Sequence, residues 1–200
     1  MAPWPWRTTN STGAAGELVE NRVVDRLAIE TANGDTLWVE FYKLADRYQH
    51  AILLRRGGAA QEALEVLRSA EGDASEAWPP SPPLQSLSIE TLGDGRHVAL
   101  LVGMAGRGHW SASIEPDAER TGLIFDIACR SAVRPERLLS CYEVGPGFDQ
   151  VRLTAESAPP APASITRDGE WLAVTCPLPS HAVGPTWRWR YRVELLPAAG

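Results

Sequence analysis

Three arginines at alternate positions, Arg188, Arg190 and Arg192, are the densest chemistry in the chain. On an extended segment they share one face at a spacing of about 7 Å. That spacing suits a phosphate, a carboxylate or an acidic partner. The competing reading is pairing within a sheet, with carboxylates on neighbouring strands such as Glu115, Asp126 or Glu143. A run of like charges needs neutralisers, and with 25 acidic against 19 basic residues the paired reading is favoured. Trp187 and Trp189 alternate with these arginines, as a platform for single-stranded nucleic acid would. In a strand, however, the aromatics and the arginines point to opposite faces. The net charge of −6 also has the wrong sign. Nucleic acid is therefore not an expected partner.

Asp126 and Arg130 are the next candidates. Both fall opposite the apolar positions Leu123, Phe125 and Ile127, so they share a face. Inside a cavity Asp126 could act as a general base or hold a ligand; the plainer reading is an outward carboxylate paired across the sheet. Trp110 is a candidate for lining a binding surface. For nucleophilic catalysis we considered Cys129 and Cys141 with His97 and His109, and Ser111 and Ser113 beside His109. Cys129 lies on an apolar strand face, where a thiol is usually an inert small hydrophobe. The chain contains no GxSxG, SxxK or HExxH. Its glycine-rich stretches, 103–108 and 145–147, lack the Lys-Ser/Thr ending of a phosphate loop. Three cysteines without CxxC spacing and four scattered histidines make no metal pattern. No catalytic residue, metal or cofactor is assigned.

Gly108-His109-Trp110 has the form GxW. Together with a late strand carrying arginine it resembles the lipocalins, in which GxW opens the first strand near the N-terminus; here it lies mid-chain. Given 17 glycines and 8 tryptophans, roughly 0.7 such triplets are expected by chance, so the triplet identifies no family. The resemblance implies a β-barrel with an apolar pocket.

These residues need elements to hold them, and composition sets the kind. Two hundred residues, 44% hydrophobic and 22% charged, can bury a core and exclude both a fibre and global disorder. Seventeen glycines and sixteen prolines point to strands and turns rather than a helical bundle. Arginine supplies 18 of the 19 basic residues, and there are eight tryptophans against three phenylalanines. GC-rich codons account for both skews, although both residue types also concentrate at interfaces. An odd number of thiols fits a reducing compartment. The N-terminal stretch has no apolar core of the length a signal peptide needs, and the longest apolar run, Val98–Ala105, is far below a membrane span. The expected location is the cytoplasm.

Residues 1–16 read as a flexible tail that includes Trp4 and Trp6, and 17–197 as a single β-rich domain. Proline-rich loops interrupt it at 78–84 and 157–164. Alternation predicts strands over Leu18–Thr31, with Val19, Val23, Leu27 and Ile29 apolar and Asn21 and Asp25 interrupting, and around Leu37–Phe41 and Tyr48–Leu54, the first two joined at Asn33-Gly34. Residues 59–70 read as the one helix, with Ala60, Ala63, Leu64, Leu67 and Ala70 at helical spacing. A meander follows: Leu87–Ile89, then Val98, Leu100, Val102 and Met104 as alternating apolar positions, then Trp110–Ile114 and Leu123–Cys129. Leu138–Val144, Gln150–Ala155 and Trp171–Cys176 are further strands. In the last, Trp187, Trp189, Tyr191, Val193 and Leu195 form one face. About ten strands and one helix, without βαβ alternation, imply an antiparallel β-sandwich or a partly closed β-barrel. The function expected of it is a non-catalytic protein-binding or assembly module. The alternative is a carrier of a small apolar molecule or lipid, with a pocket lined by Trp110, Trp187 and Trp189, and an enzyme comes third. Solid packing of those tryptophans together with an exposed apolar patch is the signature of the first reading.

Overall fold

A computed structural model of the protein describes residues 22–57, 61–158, 161–178 and 186–197. The tail at 1–16, with Trp4 and Trp6, lies outside them. Among the described residues thirteen strands build two antiparallel sheets. In chain order they are β1 (Val23–Glu30), β2 (Thr36–Leu44), β3 (Arg47–Arg55), β4 (Leu64–Ser69), β5 (Leu84–Thr91), β6 (His97–Ala105) and β7 (Gly108–Pro116). There follow β8 (Gly122–Ser131), β9 (Leu139–Val144), β10 (Val151–Glu156), β11 (Ser164–Asp168), β12 (Trp171–Thr175) and β13 (Thr186–Leu195). A 3-10 turn, Phe148–Gln150, precedes β10. The seven-stranded sheet runs β1-β2-β3-β4-β9-β12-β11 and the six-stranded sheet β10-β13-β8-β7-β6-β5.

The turn chemistry places the hairpins where expected. Gly34, Gly95, Gly106 and Gly169 all take positive φ, between +54° and +81°, in the loops β1–β2, β5–β6, β6–β7 and β11–β12. The inward faces then meet in one core. Trp110, Trp189, Tyr142, Tyr191, Phe41 and Phe125 are its largest fully buried side chains. Trp110 and Trp189 pack edge to face at 6.1 Å, and Phe125 stacks on Tyr191 at 5.0 Å. The fold is thus a two-sheet sandwich. The barrel implied by GxW is corrected: neither sheet closes on itself among the described residues.

The helix expected at 59–70 is also corrected, because Leu64–Ser69 is a central strand between β3 and β9. The cause is a β-bulge. Ile52 pairs with Leu67 and Leu54 with Leu64, so Val66 is the extra residue. Leu64 and Leu67 therefore share the inward face at a spacing of three, which imitates one side of a helix. Glu65 and Arg68 share the other face for the same reason, and they form an ion pair.

The proline-rich segment 78–84 carries the chain from one sheet to the other, without regular structure until β5 begins at Leu84, but it is not a solvated spacer. Residues 79–84 are buried. The Cys141 N–H donates to the Pro80 carbonyl at 3.0 Å, and the Ser81 hydroxyl donates to the Cys141 carbonyl at 3.1 Å. At the far end of the sandwich Arg56 ties the sheets together. It donates to Asp35 at 2.8 Å and to the Gln150 and Leu196 carbonyls at 3.1 and 2.8 Å.

Candidate functional site

The strand register converts the outer face of the six-stranded sheet into a grid. Cross-strand partners share a face, so each row can be read across β6, β7, β8 and β13. One row is Met104, His109, Arg130, Thr186. The next is Val102, Ser111, Ala128, Arg188, and the third is Leu100, Ser113, Asp126, Arg190. Read along the strands, β6 presents an apolar wall and β13 an arginine wall. Between them Ser111, Ser113 and Ala128 make a low floor.

The result is a trough. Its main hollow, of about 610 Å³, reaches Val102, Met104, His109, Ser111, Ala128, Arg130 and Thr186. A second of about 520 Å³ continues along Leu100, Ser113, Asp126 and Arg188. A third, of about 480 Å³, extends past Arg130 and His109 to Arg107 in the β6–β7 turn. The apolar wall is open to solvent, with Leu100 42%, Val102 55% and Met104 50% exposed. This reverses the expected facing of β6, whose inward residues are Ala99, Leu101, Gly103 and Ala105. The run Val98–Ala105 is apolar on both faces, so alternation alone could not orient it. Gly103 carried the signal: a Cβ there would stand 1.9 Å from the Pro83 carbonyl oxygen, so this position must face the crossover.

The arginine ladder is on this face and is paired. Arg188 makes a two-pronged contact with Asp126, and Nη1 of Arg190 lies 3.8 Å from the same carboxylate. Arg190 and Arg192 both reach Glu156 on β10, at 2.8 and 3.0 Å, and Arg192 lies 3.5 Å from Asp117. Of the carboxylates considered from the sequence, Asp126 is a partner. Glu115 stands beside Arg96, and Glu143 belongs to the other sheet. Glu156 and Asp117 were not foreseen. Pairing with Asp126 keeps Arg188 protonated even beyond its usual range. Asp126, Arg130, Arg188, Arg190 and Arg192 thus share one surface. Trp110 borders the main hollow from below, but its side chain is packed into the core at 2% exposure.

A second cluster of titratable groups lies inside the sandwich. His50 Nε2 and the Tyr142 hydroxyl are 3.1 Å apart, and that hydroxyl meets the hydroxyl of Tyr191 from the other sheet. The Trp189 indole N–H donates to Ser140 at 3.1 Å. Burial lowers His50 to about 4 and raises both tyrosines far above their usual range. The Ser69 hydroxyl donates to Glu71 at 2.7 Å, while the other oxygen of that carboxylate is buried without a partner. Burial pushes Glu71 up to about 7. This network ties the two sheets together through polar contacts. The thiols of Cys129 and Cys176 are raised to about 12 by burial, which leaves them protonated and poorly nucleophilic. Among the described residues no group of three or more His, Cys, Asp or Glu could hold a metal ion.

The chain matches no protein-family model, no curated protein and no solved structure. Among the described residues, no helix is long and apolar enough to cross a membrane.

Proposed function

We propose that the protein is a non-catalytic binding module that takes a partner protein on the outer face of its six-stranded sheet, along the trough of β6, β7, β8 and β13. The observation that carries this reading is the contiguous exposed wall of Leu100, Val102 and Met104 beside a floor of small side chains. Isolated exposed hydrophobics are ordinary, but a row of three on one strand face bordering a groove is how a contact surface is built. The interior supports the same reading. Trp110, Trp187 and Trp189 are buried against one another and their neighbours, as expected of a filled core rather than a ligand chamber. The three cysteines are free and buried, which suits a reducing, cytoplasmic setting.

Site-directed photocrosslinking in the native cell tests this reading. A crosslinker at Val102 should give a dominant protein adduct that a second substitution, Met104→Glu, removes. A crosslinker at Thr166, exposed on β11 of the other sheet, should not give it. The same adduct from both positions would overturn the reading.

A further inference from the structure

The charge of the trough says more about the partner. We infer that its occupant is a peptide segment carrying acidic residues beside apolar ones, with the carboxylates at the Arg107–Arg130 end. This rests on the binding-module reading above. At the Asp126 end the guanidiniums are answered within the sheet, by Asp126 and Glu156. At the other end they are not: neither Arg107 nor Arg130 has an ion-pair partner among the described residues, and both are exposed. Both border the hollow shared with His109. The apolar wall begins in the same row as Arg130, at Met104, and continues through Val102 to Leu100. An occupant that covers the wall must therefore bring negative charge to one end and apolar side chains along its length.

Dimensions and the rest of the molecule narrow the class. The wall and the arginine column stand three strand spacings apart, about 14 Å, and Leu100 to Met104 spans roughly 13 Å along the strand. That is the footprint of a short chain segment. The Trp, Phe and Tyr side chains of β7, β8 and β13 point inward, which leaves the outer face of these strands only the His109 ring for stacking bases. A net charge of −6 opposes any long polyanion. A lipid tail in so open a trough would stay half wet, whereas a protein segment brings its own cover.

Selection of short random peptides displayed on phage, against the full chain, tests this directly. The expected result is enrichment of sequences that set Asp or Glu beside Leu, Ile or Phe. Their binding should weaken as salt rises, which needs no variant to observe. Val102→Asp should abolish it, and Arg130→Glu should weaken it about tenfold or more. Exchanging the peptide's carboxylates for lysines should restore binding to Arg130→Glu. Peptides that need Val102 but are basic, or that ignore salt, would overturn the acidic partner and leave the binding module standing. Selected peptides indifferent to Val102, or no selected peptides, would overturn both. Concentration-dependent dimers of the full chain that Val102→Asp dissolves would assign the trough to a second copy instead, against this inference.

Discussion

His50 in the core and the half-buried Glu71 work against each other as pH changes. Glu71 is raised from 4.5 to about 7 in the folded protein. Between those values the folded state holds a proton that the unfolded chain has released, so stability falls as pH rises. His50 is lowered from 6.5 to about 4. Between those values the unfolded chain holds the extra proton, so stability is lost as pH falls. The two slopes are opposite over the shared window of about 4.5–6.5, and the parent protein should show little net dependence from this pair. Each slope amounts to about 3 kcal/mol across its full range. Glu71→Gln should expose the His50 slope, with stability rising from about pH 4 to 6.5. His50→Phe should expose the Glu71 slope, with stability falling from about pH 4.5 to 7. Urea denaturation of the three proteins over this range reads both. Parallel curves for all three would mean that neither group is held as the interior geometry requires. Charged groups near Glu71, chiefly Arg47 and Asp46, are common to all three and cancel in the differences.

At the scale of elements, alternation made most strands legible in the sequence: β1 and β2 around Asn33-Gly34, β3, the β5–β8 meander, β9, β10, β12 and β13, whose tryptophan face is buried. The misreadings have physical causes. The bulge at Val66 replaced a period of two by a spacing of three, and a six-residue strand had no other pattern to correct it. β6 is apolar on both faces, so its orientation was set by what crosses it rather than by its own alternation. That point is testable. Gly103 packs against the backbone of the proline-rich crossover, where a methyl group would stand 1.9 Å from the Pro83 carbonyl oxygen. Gly103→Ala should cost about 2–3 kcal/mol and lower Tm by about 5–10 °C. Gly93→Ala is the control, since nothing lies within 4 Å of a Cβ there and its φ is not positive. It should melt within a degree or two of the parent, and equal losses in both variants would contradict the packed crossover. The site was half legible for related reasons. Arg188, Asp126 and Arg130 share a face because alternation is reliable on β8 and β13, whereas the apolar wall opposite them lay on the strand whose facing alternation could not decide.

For the whole molecule, the sandwich directs its aromatic mass inward and leaves one sheet with an uncovered apolar row next to unanswered positive charge. On the proposed function the interior gives rigidity and the outer face gives contact. Met104 reports on this division without any added probe. It is one of two methionines in the chain and half exposed at the mouth of the trough. In the full chain labelled at the methionine, leucine and isoleucine methyls, Met104→Leu identifies the Met104 signal by its loss. Titration with a peptide selected on the parent protein should move that signal saturably, with the midpoint that calorimetry gives for binding, while the core methyls of Leu101, Ile114 and Leu123 stay in place. Binding by calorimetry that leaves the Met104 methyl unmoved would contradict the account, because the partner would then sit somewhere other than the outer face of the six-stranded sheet.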